Sequence, residues 1–515
     1  MVSLPRNVFR YRIKLSVCLA RLVPAPGRSQ FRKVFYGVFS YMTSEQLLSL
    51  YGIGVNEQLD DSVTFVNLPS REQILNRIVE NKNFDLLILG GGLTGAVLAH
   101  EAALKGIKVL LLERGYFGAD ALSWDLRIAA QMRRSPACLL RARAAFKALI
   151  SQRAPHLIAP MPQDSHVVTG FVAAAIKRVV PLIQVDERLL IRETILAAKQ
   201  EGAAILSMIT PIYVEAESAE SGCYVIEFED GLTKERYQAR VGGILIDPTH
   251  GELPASRLGT YVIPDTKYKG APQIAGLQFT YQAVPRSAKG GVSFVSFELT
   301  DGSFIAVQRR GIQTIEVTIL WGAKELPTDQ LPSVIDQAVK ESGWIIESEL
   351  SQRQVAGRWS KQYGISEFKG VFTCHHRGAW DAYRSAQTIV KALVRLLPDS
   401  PESTRLTSPP LPGLERNCEA DAFRALARAQ GISEQTIERV VSRWRGRVRY
   451  LGQFANGLRE VIPGVLRAEV DLAVVSDQVA SLDDLVFGAL EIQMYPDWRQ
   501  RLPELKERLG AYGVG

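Results

Sequence analysis

Cysteine is scarce and scattered, with five in 515 residues at Cys18, Cys138, Cys223, Cys374 and Cys418. No two form a C-x-x-C pair, so neither a zinc site nor a disulfide framework is indicated, and free thiols in a reducing compartment are expected. Histidine is nearly as rare, with six, and none has metal-ligand spacing. The adjacent His375 and His376 would face opposite sides of a strand. No apolar run reaches the roughly 18–20 residues of a spanning helix, so no transmembrane span is expected. No internal repeat is found. Acid is missing from one end: Arg6, Arg10, Arg12, Lys14, Arg21, Arg28, Arg32 and Lys33 all precede the first acid, Glu45. That stretch accounts for the formal net charge of +7. The rest is near neutral and lacks the clustered basic face of a nucleic-acid binder.

What remains is an ordinary globular balance, 46% hydrophobic and 22% charged, in a chain long enough for two or three packed domains. Residues 1–44 have three readings: an amphipathic segment lying on a membrane surface, an organellar transit peptide, or a disordered tail before an internal start at Met42. Beyond it the patterns alternate. FDLLILGGGLTGAVLAHEAALKGIKVLLLERG reads strand, glycine turn, helix, strand. A helical region is expected from about Leu122 to Ala159, and VDERLLIRETILAAKQEGAAILSM is a helix followed by a strand. From Arg240 to about Gly322 the hydrophobic period shifts towards two, as in LQFTYQAV, VSFVSFEL, SFIAVQRR and IEVTILW, marking a mainly β region. LPSVIDQAVKESG is a helix, and GVFTCHHRGAWDAYRSAQTIVKALVRLL is a strand, a turn and a long helix. A proline- and serine-rich linker, LPDSPESTRLTSPPLPG, precedes a tail expected to be helical to the end.

Gly90, Gly92 and Gly95 spell G-x-G-x-x-G between a predicted strand and helix, and Glu113 ends the next strand. The first glycine permits the tight turn, the second lets a pyrophosphate approach the backbone, and the third lets the helix pack on the sheet. The helix start offers unpaired N–H groups and a positive dipole end to phosphate. Glu113 is placed to accept from ribose hydroxyls.

The turn GGGLTG, with Thr94 before the last glycine, resembles that of flavoproteins. From about Leu68 to about Asp497 the chain resembles the FAD-dependent glycerol-3-phosphate dehydrogenases. The likeness is carried in order by LPSREQIL, ERGYFGADALSWDLR, RAPHLIAPMP, QVDERLL, the β region, SPPLPG and LRAEVDLAVVSDQVASLDDLVFG. It implies an α/β FAD-binding domain of Rossmann-like, glutathione-reductase type, with an inserted mainly-β substrate domain and a C-terminal α-helical domain. The expected bounds are a basic segment 1–44, a lead-in 45–80, the FAD-binding domain over 81–250 and again over 346–397, the β-rich substrate domain over 251–345, a linker over 398–413 and the helical domain over 414–515. The family oxidises sn-glycerol 3-phosphate to dihydroxyacetone phosphate and passes electrons to membrane quinone. The resemblance therefore implies an FAD cofactor, an alcohol substrate, a quinone partner and peripheral attachment to a bacterial or mitochondrial inner membrane.

Carried over residue by residue, the flavin would be held by Gly90, Gly92, Leu93, Thr94, Gly95, Glu113, Arg114, Ser123, Gly378 and Trp380. Arg127, His376 and Arg384 would do the chemistry. The departures concentrate on the substrate side. Trp124 stands where the family has an arginine, and Arg127 replaces a lysine. Ala130, Gln131 and Met132 replace His-Gly-Gly, and Ala379 replaces the active-site lysine. The Arg-Pro phosphate-binding pair is absent near GRWSKQYG, and FGALEIQ stands where the family is arginine-rich. Pro211 falls where a strand N–H would meet the adenine, and proline has none. Arg127, Arg358, Lys361, Arg377 and Arg384 are candidate replacement cations. The acid pair Asp60–Asp61 and the run RWRGRVR read as solvated faces. Two functions follow: a flavin oxidoreductase with an altered substrate site, or an FAD-binding or non-catalytic homologue serving as a membrane-associated scaffold.

Overall fold

The computed structural model describes residues 68–81, 83–118, 154, 157–160, 166–167, 183–217, 223–246, 273–287, 294–298, 304–310, 313–321, 329–358, 364–368, 371–375, 379–396, 411–412, 417–452, 454, 458–495, 498–512 and 514. The basic segment 1–44, Asp60–Asp61, Ser123, Trp124, Arg127, Ala130–Met132, Lys361 and His376–Gly378 lie outside them. The described chain forms two compact units, one within Val66–Leu411 and Ala473–Gly515, the other within Pro412–Leu472.

The larger unit is built on a six-stranded sheet, β17-β18-β11-β2-β3-β7. Its strands are β2 (Leu86–Leu89), β3 (Val109–Leu112), β7 (Ala204–Leu206), β11 (Ile244–Ile246), β17 (Gly364–Phe368) and β18 (Val371–His375). All pairings are parallel except the edge pair β17–β18. The unbroken apolar runs LLIL and VLLL fit strands covered on both faces. Leu86, Ile88, Val109, Leu111 and Ile205 pack towards helices α2 (Leu93–Ala103), α3 (Glu187–Gln200) and α5 (Ala379–Leu396). Leu87, Leu89, Leu110, Leu112 and Leu206 pack the other way, against α1 (Arg71–Asn81) and a four-stranded sheet. That sheet comprises β1 (Asn83–Phe84), β8 (Ile209–Ala216), β9 (Tyr224–Asp230) and β10 (Arg236–Val241). Pro211 sits in the edge strand β8 beside a break in register, where its missing N–H breaks no regular ladder.

A second six-stranded sheet, β16-β12-β15-β14-β13-β5, forms the β-rich part. It holds β5 (His166–Val167), β12 (Gln273–Pro285), β13 (Phe294–Glu298), β14 (Phe304–Arg309), β15 (Thr314–Trp321) and β16 (Trp344–Arg358). Its apolar face, with Phe279, Ile305, Val307, Ile315, Val317 and Ile319, is packed with α4 (Leu331–Glu341) and Trp344. β16 pairs with β12 along its whole length, out to Arg358. The chain therefore returns to the first sheet at Gly364 rather than at the expected 346. A further small pair joins β4 (Ile158–Pro160) to β6 (Ile183–Val185), so the stretch expected to be helical to Ala159 ends in a strand.

In Pro412–Leu472, α6 (Asn417–Ala429), α7 (Glu434–Trp444) and the short α8 (Val448–Leu451) are joined by a hairpin of β19 (Glu460–Ile462) and β20 (Val465–Leu466), which the expectation of an all-helical tail missed. Glu469 is fully buried and accepts from Arg439, from Trp444 Nε1 at 2.6 Å and from Leu466 N at 2.9 Å. RWRGRVR is not a solvated face: Trp444, Arg447 and Val448 are buried, with the Arg447 guanidinium 4.8 Å from the Trp444 ring. The cation packs on the aromatic face instead of reaching water. Ala473–Gly515 groups with the sheets, not with this unit.

Candidate functional site

The glycine turn has the geometry its spacing requires. Gly90 follows β2 with φ +116°, a conformation that L side chains rarely adopt. Gly92 is the N-cap of α2 and makes no side-chain cap, and α2 has no acid in its first turn. Its leading N–H groups are therefore left for an external acceptor. A Cβ on Gly95 would lie 1.9 Å from the Gly90 carbonyl oxygen, so only glycine lets the helix start so close to the turn. The Thr94 hydroxyl in this turn is buried and, among the described residues, has no hydrogen-bond partner. A buried hydroxyl left unpaired is costly unless something else satisfies it. Bare N–H groups and a waiting hydroxyl fit the oxygens of a pyrophosphate.

Glu113 stands one strand over, at the end of β3. It accepts from Gly91 N at 2.5 Å and Gly115 N at 2.7 Å, which fixes its carboxylate beside the turn. The Glu113–Gly115 loop is itself tied down: Glu113 N donates to Leu206 O, Ile209 N to Glu113 O and Met208 N to Gly115 O. Phe117 closes the back of the turn, 2.6 Å from where a Cβ on Gly91 would be.

Register brings the end of β18 to the same edge of the sheet. Ile246 pairs with both Leu89 and Thr373, so β2 and β18 end at the carboxyl edge two strands apart, about 10 Å. Trp380 and Arg384 lie in the first turns of α5, which begins at Ala379. Ligands of open α/β sheets bind at this edge. Ser123, Arg127, His376 and Gly378 lie outside the described residues, so their places in the site remain expectations, whereas the backbone brings Gly90–Gly95, Glu113, Arg114 and the start of α5 to one side.

A charged layer, with no signal in the local sequence pattern, lies on α3 and the segment packed against it. On α3, Arg192 pairs with Asp484 with both side chains at 2% exposure or less, and Arg188 pairs with Glu491. Glu491 also accepts from Arg310 at 3.0 Å. Burial opposes charge on Arg310, but Glu491 and Glu316 outweigh it and raise its pKa. Asp484 opens a π-helical turn, Asp484–Ala489, and Glu491 adopts a left-handed conformation at φ +52°. Such strain persists only where surrounding contacts hold it.

Lys199, near the end of α3, is buried and donates to Gln478 Oε1 at 2.5 Å. Burial pushes its pKa down from 10.5 to about 7, against the pull of Asp477 and Asp484. Between those values the unfolded chain holds a proton that the folded chain has released. Stability should therefore rise with pH across that window, the cost of the buried charge being fully present below about 7. Lys199→Met should gain stability relative to the parent at pH 6.5 and lose that advantage at pH 9.5 in denaturant titrations. An advantage independent of pH would contradict this.

No family model matches the chain. Among curated proteins it is similar to the glycerol-3-phosphate dehydrogenase of Synechocystis, 30% identical over 87 residues, 16% of each chain. It is 43% identical over 54 residues to the mitochondrial glycerol-3-phosphate dehydrogenase of Saccharomyces cerevisiae, 10% of this chain and 8% of that one. With the probable mitochondrial enzyme of Caenorhabditis elegans it shares 33% over 106 residues, 18% of this chain and 15% of that one. The matched stretches span 16% or less of these relatives. Among solved structures, the glycerol-3-phosphate dehydrogenase of Bacillus halodurans complexed with FAD superposes with a TM-score of 0.62 at 16% identity, over 87% of this chain and 94% of that one. The chain thus has the fold of that FAD-bound dehydrogenase.

Proposed function

We propose that the protein is an FAD-dependent oxidoreductase related to glycerol-3-phosphate dehydrogenase, acting on an alcohol at an altered substrate site. The observation that supports this best is the Gly90–Gly95 turn, with its uncapped helix, its unpaired Thr94 hydroxyl and Glu113 fixed beside it. The N–H groups and Thr94 would hold the FAD pyrophosphate, Glu113 the adenosine ribose, and Arg114, Ser123, Gly378 and Trp380 the remainder. Bound FAD supplies a two-electron acceptor for an alcohol C–H. The chain's own part is to orient the alcohol, exclude water and take the hydroxyl proton. His376 is the proposed base, with Arg127 and Arg384 positioning the substrate. Trp124 and Ala379 in place of two family cations favour a substrate less charged than glycerol 3-phosphate.

The test is anaerobic mixing of FAD-loaded protein with alcohols. Bleaching by an alcohol supports an enzyme. No bleaching by any alcohol tried, with FAD bound, would favour the scaffold reading. Among the described residues no helix is long and apolar enough to cross a membrane. We place the protein peripherally on an inner membrane through residues 1–44, with quinone as acceptor. Anionic liposomes should float the full chain but not a chain starting at Ser44, and equal flotation would count against it.

A further inference from the structure

The face of the β-rich sheet opposite α4 is buried and polar. Thr280, Glu316 and Gln308 form one row across β12, β15 and β14, since Glu316 pairs in register with both of the others. Gln278, Thr318 and Ala306 form the next row. All six are buried. Gln278 Nε2 donates to Thr318 Oγ1 at 3.2 Å, which helps to satisfy its row. Gln308 differs: it is 2% exposed, and among the described residues neither its amide oxygen nor its amide nitrogen has a hydrogen-bond partner. The alternate residues Ile305 and Val307 pack in the apolar core, so a polar residue at 308 is no requirement of strand patterning. A buried primary amide with both ends unsatisfied calls for a further partner.

The strand that carries Gln308 continues into a charged network that reaches the loop after β3. Arg310, two residues beyond Gln308, bonds Glu491, which also pairs with Arg188. Arg188 lies against Gly118, next to the Phe117 that backs Gly91. Arg310 also faces Glu316 at 3.8 Å. This cation is thus committed to two carboxylates. A dianionic group brought here would meet Glu316 and a neutralised arginine.

We infer that Gln308 is a specificity-determining residue whose amide hydrogen-bonds a hydroxyl of an uncharged polyol substrate, and that the Arg310–Glu491–Glu316 set withholds its charge from phosphate. The inference rests on the oxidoreductase reading and names its substrate class. An amide offers a donor and an acceptor and so matches a hydroxyl, which also offers both.

The test uses the full chain reconstituted with FAD, its flavin content measured first. Glycerol and sn-glycerol 3-phosphate are then titrated anaerobically, and half-saturation is read from any shift or bleaching of the flavin spectrum. Glycerol should half-saturate at a concentration at least tenfold below glycerol 3-phosphate. Gln308→Leu should raise the glycerol value tenfold or more, with flavin content unchanged and the melting temperature equal or higher, because an unsatisfied amide is gone. A merely structural Gln308 would leave the titration unmoved, and that result overturns the proposal. So does tighter response to glycerol 3-phosphate than to glycerol, or no response to glycerol at all. If the parent takes up no FAD, the oxidoreductase reading fails first, and the flavin measurement shows it before any titration.

Discussion

Gly95→Ala should cost the protein its flavin. The added methyl would sit 1.9 Å from the Gly90 carbonyl oxygen and 3.1 Å from its carbon. Both are backbone atoms, so no rotamer change relieves the clash. Either α2 tilts away from the sheet or the turn opens, and each moves the N–H groups from where a pyrophosphate would sit. Because α2 is buried nearly throughout, its displacement disturbs packing against both α3 and α5. Overpacking of this kind costs about 1–3 kcal/mol and sometimes more. We expect FAD content after reconstitution to fall to a tenth of the parent's or less. Full FAD content in the alanine variant would mean that the turn is not held as described.

Asp484→Ala should be the most destabilising change at the charged layer. Its partner Arg192 is 2% exposed, and losing the carboxylate leaves a guanidinium buried without its counter-charge. Asp484 also accepts from Ala480 N at 3.2 Å, so the turn entering the π-helical segment loosens as well. Breaking one side of such a pair costs roughly 3–5 kcal/mol, whereas replacing both sides by apolar groups is often near neutral. Denaturant unfolding of Asp484→Ala should show a loss of about that size, and Arg192→Met with Asp484→Leu should recover most of it. A single-variant loss below about 1 kcal/mol, the range of exposed pairs, would show that the layer is not sealed from water.

Local features were legible in the sequence. The strand, the glycine turn, α2, β3 and Glu113 lie within one short stretch, and each is dictated by period, by a glycine or by an acid at a strand end. α3, α4 and α5 were legible for the same reason. β16 was not: WIIESELSQRQVAGR has no sustained alternation, and its pairing with β12 slips in register between Thr280 and Tyr281 and between Gln282 and Ala283. The grouping of Ala473–Gly515 with the sheets has no local signal, because what ties the segment back is distant, with Arg192 and Asp484 separated by 292 residues. No window of local pattern registers that. RWRGRVR misled because arginine density suggests water, while Trp444 supplies a buried face on which Arg447 lies. At Gln308 the alternation in SFIAVQRR identified a strand, yet only the packing reveals that both of its faces are buried.

The central claim, that the Gly90–Gly95 turn with Glu113 is an FAD site, is tested most directly by the absorption spectrum of the purified protein after incubation with excess FAD and desalting. The account predicts a retained flavin spectrum at about one FAD per chain, lost in Gly92→Val. A colourless parent protein after reconstitution would contradict it.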